Sequence, residues 1–211
     1  MRLLTVSMFA LLAAGACSAQ QWELGVAGGI GVFRNGTITS PTGTADAGFK
    51  QGAAISAFAT QNMYRHMAGQ IRYTFQFDDM QLSSGGTEVK FKAQSHAIHY
   101  DLMFLAGSPE AAVRPYVLVG GGAKIYRGTG KEQETQELME FAALSRVQQT
   151  VPLATFGGGV KARLGRRGFL YVEARDYLTP FPKDVIAPVP PSKASGWIHD
   201  FTPMVGLSFT F

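Results

Sequence analysis

Apolar residues recur at every second position over much of the chain, and this alternation constrains the fold more than any other feature. Ile71, Tyr73, Phe75 and Phe77 alternate with Gln70, Arg72, Thr74, Gln76 and Asp78. Near the C-terminus Phe201, Val205, Leu207, Phe209 and Phe211 alternate with Asp200, Thr202, Gly206, Ser208 and Thr210. A period of two places the two sets on opposite faces of an extended strand, and no helix reads this way. The pattern predicts eight strands, each of about ten residues as a strand needs to cross a bilayer. They fall at residues 22–33, 52–61, 69–78, 89–105, 114–126, 153–164, 169–177 and 198–211. The connections run long, short, moderate, short, long, short, long. Such an alternation of lengths predicts an antiparallel up-and-down barrel with both termini at one end, the periplasmic one, and four loops at the other.

Composition excludes the main rivals. Hydrophobic residues make up 46% of the chain, with 15 Phe, 7 Tyr and 2 Trp, which is incompatible with disorder. Charged residues are only 16%, whereas about a quarter is usual in soluble domains. A spanning helix needs about 20 consecutive apolar residues. The longest apolar run, residues 3–16, is interrupted by Thr5 and Ser7. That run follows Arg2 and precedes the small residues Ala16, Cys17, Ser18 and Ala19, the layout of a secretory signal peptide. The expected organisation is a signal peptide over residues 1–19 and a barrel over residues 20–211. Cleavage there removes the single Cys, so the exported chain is held by its fold alone. Lipoprotein processing at Cys17 is the rival, disfavoured by Ala14 at a position such signals usually fill with Leu.

Alternation alone does not say which face meets solvent, since a soluble barrel also alternates. Size decides. The interior of an eight-stranded barrel is just wide enough for side chains to fill. The apolar faces here are too aromatic for it, so they are expected to face lipid, with the polar faces turned inward. The signal peptide, the eight amphipathic strands and the last strand, Val205-Gly206-Leu207-Ser208-Phe209-Thr210-Phe211, together resemble the OmpA/OmpX-like family of small outer-membrane barrels. The resemblance covers the mature chain, and its one sharp motif is the C-terminal one. It implies an outer-membrane location in a Gram-negative envelope and contact with membrane lipid and lipopolysaccharide. It also implies recognition of Phe211 by the barrel assembly machinery during insertion. The chain departs from OmpA itself by stopping at the barrel, without a peptidoglycan-binding domain.

Carrying the alternation along each strand predicts which charges line the lumen: Glu23, Arg72, Asp78, Asp101, Lys124, Lys161, Arg163, Glu173, Arg175 and Asp200, with His99 beside them. The set is balanced in sign, whereas a pore selective for one sign needs an excess in its lining. Balance predicts salt-bridged packing. Gly120-Gly121-Gly122 and Gly157-Gly158-Gly159 either make room for the long side chains or allow tight barrel curvature. The Arg166-Arg167-Gly168 turn reads as a three-residue hairpin loop with a left-handed glycine. That register sets Gly165 opposite Phe169, Leu164 opposite Leu170, Ala162 opposite Val172 and Lys161 opposite Glu173.

The functional expectation is a structural barrel with a closed lumen, displaying four outer loops for envelope integrity, surface interaction or adhesion. A narrow solute channel is the second reading. An enzyme acting on lipid or peptide is the third, drawn from Asp78-Asp79 and His199-Asp200 near the outer rim, as in omptin proteases. No metal-ligand spacing, phosphate-binding glycine motif or cofactor signature is present. The isoelectric point of 9.3 does not indicate nucleic-acid binding, because the basic residues are dispersed. Residues 131–147 have helix-forming composition with Leu138, Phe141 and Ser145 on one side, so a short loop helix is expected, as a partner-binding element or a solvated surface one. The loop over residues 179–196, with Pro180, Pro182, Pro188, Pro190 and Pro191, is expected to be stiff without regular structure. Lys50, Lys90, Lys92, Arg127, Lys183 and Lys193 are placed outside, where they either meet lipopolysaccharide phosphates or simply keep the loops soluble.

Overall fold

The computed structural model describes residues 22–131 and 136–211, so the expected signal peptide lies outside the described residues. Eight long strands close into a barrel: β1 (Trp22–Arg34), β4 (Gly52–Tyr64), β5 (Met67–Gln76), β8 (Ala93–Leu105), β9 (Val113–Gly128), β11 (Gln148–Arg163), β12 (Gly168–Pro180) and β15 (Trp197–Thr210). Each pairs antiparallel with its neighbours, and β1 closes the cylinder against β15, with Leu24 opposite Phe209. The expected eight-stranded barrel is therefore the observed one, with boundaries within a few residues. The largest difference is the expected fourth strand, which breaks at Lys92 into two.

The walls follow the period of two. Along β5, Gln70, Arg72, Thr74 and Gln76 are buried while Ile71 and Tyr73 are half exposed. Val26 is 62% exposed, Val117 60% and Val205 55%, forming an outward apolar belt. So much aliphatic surface turned out is what hydrocarbon surroundings require, and a barrel leaves no unpaired edge there.

The long connections are where structure exceeds the sequence pattern. β2 (Gly36–Ser40), β3 (Gly43–Phe49), β6 (Met80–Ser84), β7 (Thr87–Phe91) and β14 (Lys193–Ser195) form a second sheet in the order β14-β2-β3-β6-β7. β10 (Ala142–Leu144) pairs with β13 (Ile186–Pro188). The helix expected over residues 131–147 is not formed in its described part. Residues 137–141 make a turn with Leu138 at φ 59°, and the chain then enters β10. Residues 132–135 lie outside the described residues. Pairing with β13 and burial of Phe141, Ala142 and Leu144 outweigh the local helical preference. The proline-rich loop is likewise not irregular throughout, since it contributes β13 and β14.

Together these loop elements make a cap with its own core. Ile38, Phe49, Met80, Leu82, Tyr126, Phe141, Leu144, Phe181, Val185, Ile186 and Ile198 are at most 5% exposed and form one cluster. Residues from all four long connections join it.

The hairpin between β11 and β12 corrects the expected register. Arg163 faces Phe169, Ala162 faces Leu170, Lys161 faces Tyr171 and Gly159 faces Glu173. The Leu164 N–H donates to the Gly168 carbonyl at 2.9 Å, so the turn closes over residues 165–167, one residue earlier than the expected loop, which slips the register by two. Gly168 does not take the left-handed conformation that loop demands. A slip of two preserves which face each residue occupies and changes every partner.

Candidate functional site

The polar positions of the eight strands converge on the lumen, where their side chains are stacked in three tiers. At the end carrying Trp22 and Thr210, here the turn end, Lys161 pairs closely with Glu23. Glu23 also accepts hydrogen bonds from Asn62 at 2.8 Å, Tyr171 at 2.8 Å and Ser208 at 3.0 Å. In the middle tier Glu173 pairs with the Arg72 guanidinium at 2.6 Å and accepts hydrogen bonds from Tyr116 at 2.6 Å and Arg175 at 3.1 Å. Arg175 also pairs closely with Asp101, which meets the His99 ring at 3.0 Å. At the far tier, toward the loop end, Lys124 lies 2.6 Å from Asp200 and 2.8 Å from Gln76, and Ser95 donates to Asp78 at 2.7 Å.

Glycine supplies the room. A Cβ on Gly120 would lie 2.2 Å from an Asp101 oxygen, and one on Gly159 would lie 2.7 Å from the Glu173 Cβ. Each would also press on the neighbouring strand, 2.2 Å from the Tyr100 carbonyl and 2.4 Å from the Val172 carbonyl, so these glycines serve close strand approach as well as room for side chains. Above the far tier the cap core takes over directly. Phe49 stacks on Tyr126 with ring centroids 4.5 Å apart, and the Lys124 ammonium sits 5.1 Å from the rings of Phe33 and Tyr126. Polar tiers and apolar lid thus follow one another without an intervening mouth along this path.

Of the ten charges expected in the lumen, Glu23, Arg72, Asp78, Asp101, Lys124, Lys161, Glu173, Arg175 and Asp200 are buried. Arg163 is not: its guanidinium is exposed at the turn end and donates to the Pro109 carbonyl at 2.7 Å. Arg163 is the last residue of β11, where the wall ends, so its long side chain reaches out instead of in. The expected Lys161 and Glu173 pair is replaced by Lys161 with Glu23 and by Glu173 with Arg72 and Arg175. The lumenal cation that sequence reasoning missed is Arg114, 8% exposed. It shares the parity of Lys124 on the same strand, a signal that was present.

The residues considered for chemistry are separated. His199 and Asp200 are adjacent in β15, so they face opposite sides. His199 meets Asp176 at 2.8 Å on the outer wall, while Asp200 meets Lys124 inside. Asp78 is buried against Ser95, and Asp79 meets the exposed Lys92 at 3.2 Å. Among the described residues, no group of three or more His, Cys, Asp or Glu side chains is placed to hold a metal ion.

A closed eight-stranded sheet with aliphatic residues outward and paired charges inward is the fold of a small outer-membrane barrel. Comparison with solved structures gives the same fold. Neisserial surface protein A matches with a TM-score of 0.56 at 11% identity, covering 90% of this chain and 97% of that one. The outer membrane protein OprG from Pseudomonas aeruginosa matches with a TM-score of 0.61 at 10% identity, covering 91% of this chain and 95% of that one. No protein-family model and no curated protein matches the chain.

Proposed function

We propose that the protein is a closed, non-enzymatic barrel of the outer membrane whose function resides in the rigid cap it displays. In this reading the termini and short turns face the periplasm and the cap faces outward, contributing to envelope integrity or to adhesion-like contacts at the surface. The observation that carries it is the continuity of the lumenal ion pairs with the apolar core above them. Lys124 touches both Asp200 below and the aromatic lid above, so the same side chain belongs to plug and cap. Opening a water path requires separating buried pairs, which strands charges in a low-dielectric interior. Lys50, Lys183 and Lys193 are exposed at the cap and suit contact with lipopolysaccharide phosphates. Phe211, by its resemblance, serves recognition during assembly.

The test is electrical. Barrel reconstituted into planar bilayers is expected to show no stable conductance, and loosening the far tier by Lys124→Met should not create one while the cap stays folded. Steady ion-selective currents from the unaltered protein would replace this reading with that of a solute channel.

A further inference from the structure

At the turn end the lumen widens into a cavity of about 270 Å³, walled by Glu23, Arg65, Arg114, Lys161, Arg163 and Phe169 among others. Glu23 is the acid of this wall, and it is fully engaged by Lys161, Asn62, Tyr171 and Ser208. Among the described residues no carboxylate lies within 4.0 Å of the guanidinium groups of Arg65, Arg114 or Arg163. Arg114 is the telling one, because it is 8% exposed yet has no carboxylate in contact, Glu110 and Glu23 acting on it only from beyond ion-pair distance. Its Nε donates to the Ala106 carbonyl at 3.3 Å and its Nη2 to the Arg65 carbonyl at 2.6 Å. Arg163 is held in the same manner by the Pro109 carbonyl. Neutral carbonyls fix the direction of a guanidinium, and its charge is offset only at longer range, by Glu110 in both cases and by Glu23 for Arg114. A neighbouring cavity shares Arg163 and Phe169 and adds two further arginines, Arg166 and Arg167, beside one acid, Glu110.

A buried cation without an acid in contact is costly, and an anion entering the cavity removes that cost. Oriented guanidinium groups in a concave wall favour an anion with several oxygens on one centre, which they engage by paired N–H donors. We infer that this mouth is a binding site for a phosphate group, with Arg114 and Arg163 as its fixed donors and Arg65 closing over it. The inference does not depend on what the cap binds. The group is carried either by a soluble phosphate ester or by a lipid headgroup at the adjoining membrane surface.

The experiment uses the full barrel refolded in an uncharged maltoside detergent. Glycerol 3-phosphate is titrated calorimetrically and by its effect on the denaturant midpoint, with sodium chloride at matched ionic strength as the control. Saturable binding that raises the midpoint is expected for the unaltered protein. In Arg65→Gln with Arg163→Gln, both exposed positions, binding should weaken by roughly tenfold or more. Arg114→Gln keeps a donor for the carbonyls and sheds the charge. Without ligand it should therefore unfold at the same or higher denaturant than the unaltered protein, whereas loss of a merely structural strut would lower the midpoint. A second arm places the protein in phosphatidylcholine nanodiscs with or without phosphatidylglycerol. Stabilisation by phosphatidylglycerol that is lost in the double variant assigns the phosphate to lipid, and a response to glycerol 3-phosphate alone assigns it to a soluble ester. The inference is overturned if the unaltered protein responds to neither at matched ionic strength, if the double variant responds equally, or if Arg114→Gln is destabilised.

Discussion

Glu173 joins two guanidinium groups, and removing its charge is the most informative perturbation of the lumen. Arg72 and Arg175 have side chains that are 0% exposed, and both reach this carboxylate, at 2.6 and 3.1 Å. In Glu173→Gln the hydrogen bond from Tyr116 has an acceptor still, but Arg72 loses its acidic partner and Arg175 keeps only Asp101. Breaking one side of a buried pair typically costs about 3–5 kcal/mol, and this change should fall within that range. Arg72→Met should cost less, about 2–3 kcal/mol, because Glu173 retains Arg175 and Tyr116 while the methionine refills part of the space. The two sites share a contact, so the double variant should lose about 1–3 kcal/mol less than the sum of the singles. Lys161→Met combined with Glu173→Gln is the control, since Lys161 is engaged by Glu23 in another tier. Those effects should add to within about 0.5 kcal/mol. The assay is reversible denaturant unfolding of the refolded barrel in detergent or lipid, followed by tryptophan fluorescence and by mobility of unheated protein on gels. Additivity of Arg72 with Glu173, or coupling of Lys161 with Glu173, would refute the tiered arrangement and the β11–β12 register with it.

Two further outcomes concern the cap. Phe49→Ala empties a site that is 2% exposed and stacked on Tyr126, so it should cost about 3–5 kcal/mol. Hydrogen exchange should then show cap amides losing protection while barrel amides keep theirs, and uniform protection would show that the cap has no separate core. Burial beneath the cap, past the end of β5, pushes the Asp78 carboxyl up to about 7, against the pull of Lys124 and Ser95. The folded state therefore holds this proton more tightly than the unfolded chain does, and the group's contribution to stability falls as pH rises from about 4 to about 7. Asp78→Asn should remove that decline, so its unfolding midpoint should exceed that of the unaltered protein above pH 7 and converge with it near pH 4; parallel profiles would contradict the assignment.

How far the fold could be read from the chain follows from the range of the interactions involved. The inward or outward choice at Ile71, Arg72 and Tyr73 is fixed by neighbours two residues away, so the walls and eight of the ten lumenal charges on strands were readable, with Asp78 just beyond its strand. Partner identity is not local in this sense. Lys161 meets Glu23 from 138 positions away, and parity, which is all that alternation supplies, is blind to a slip of two at residues 164–168. Arg163 was misplaced because parity takes no account of where the wall stops, and Arg163 is the last residue of its strand. The cap was illegible for a related reason. β10 is three residues long and has no reason to extend except its pairing with β13, which lies in a different loop. Composition there favoured a helix, and the tertiary contact prevailed.

The pairing of β14 with β2 sets Ser195 against Thr37, joining the last long connection to the first. Those connections flank β1 and β15, the strands whose pairing closes the cylinder. The seam is thus stitched twice, once within the membrane and once above it, by contacts of the greatest sequence separation in the chain. Such contacts form late, after most of the loop-closure entropy has been spent. They act chiefly as a clasp on the exit route: their loss must precede parting of the first and last strands, so they slow unfolding far more than they hasten folding. The cap's contribution is then to lifetime, and a barrel trimmed of β14 would assemble at an ordinary rate yet come apart sooner.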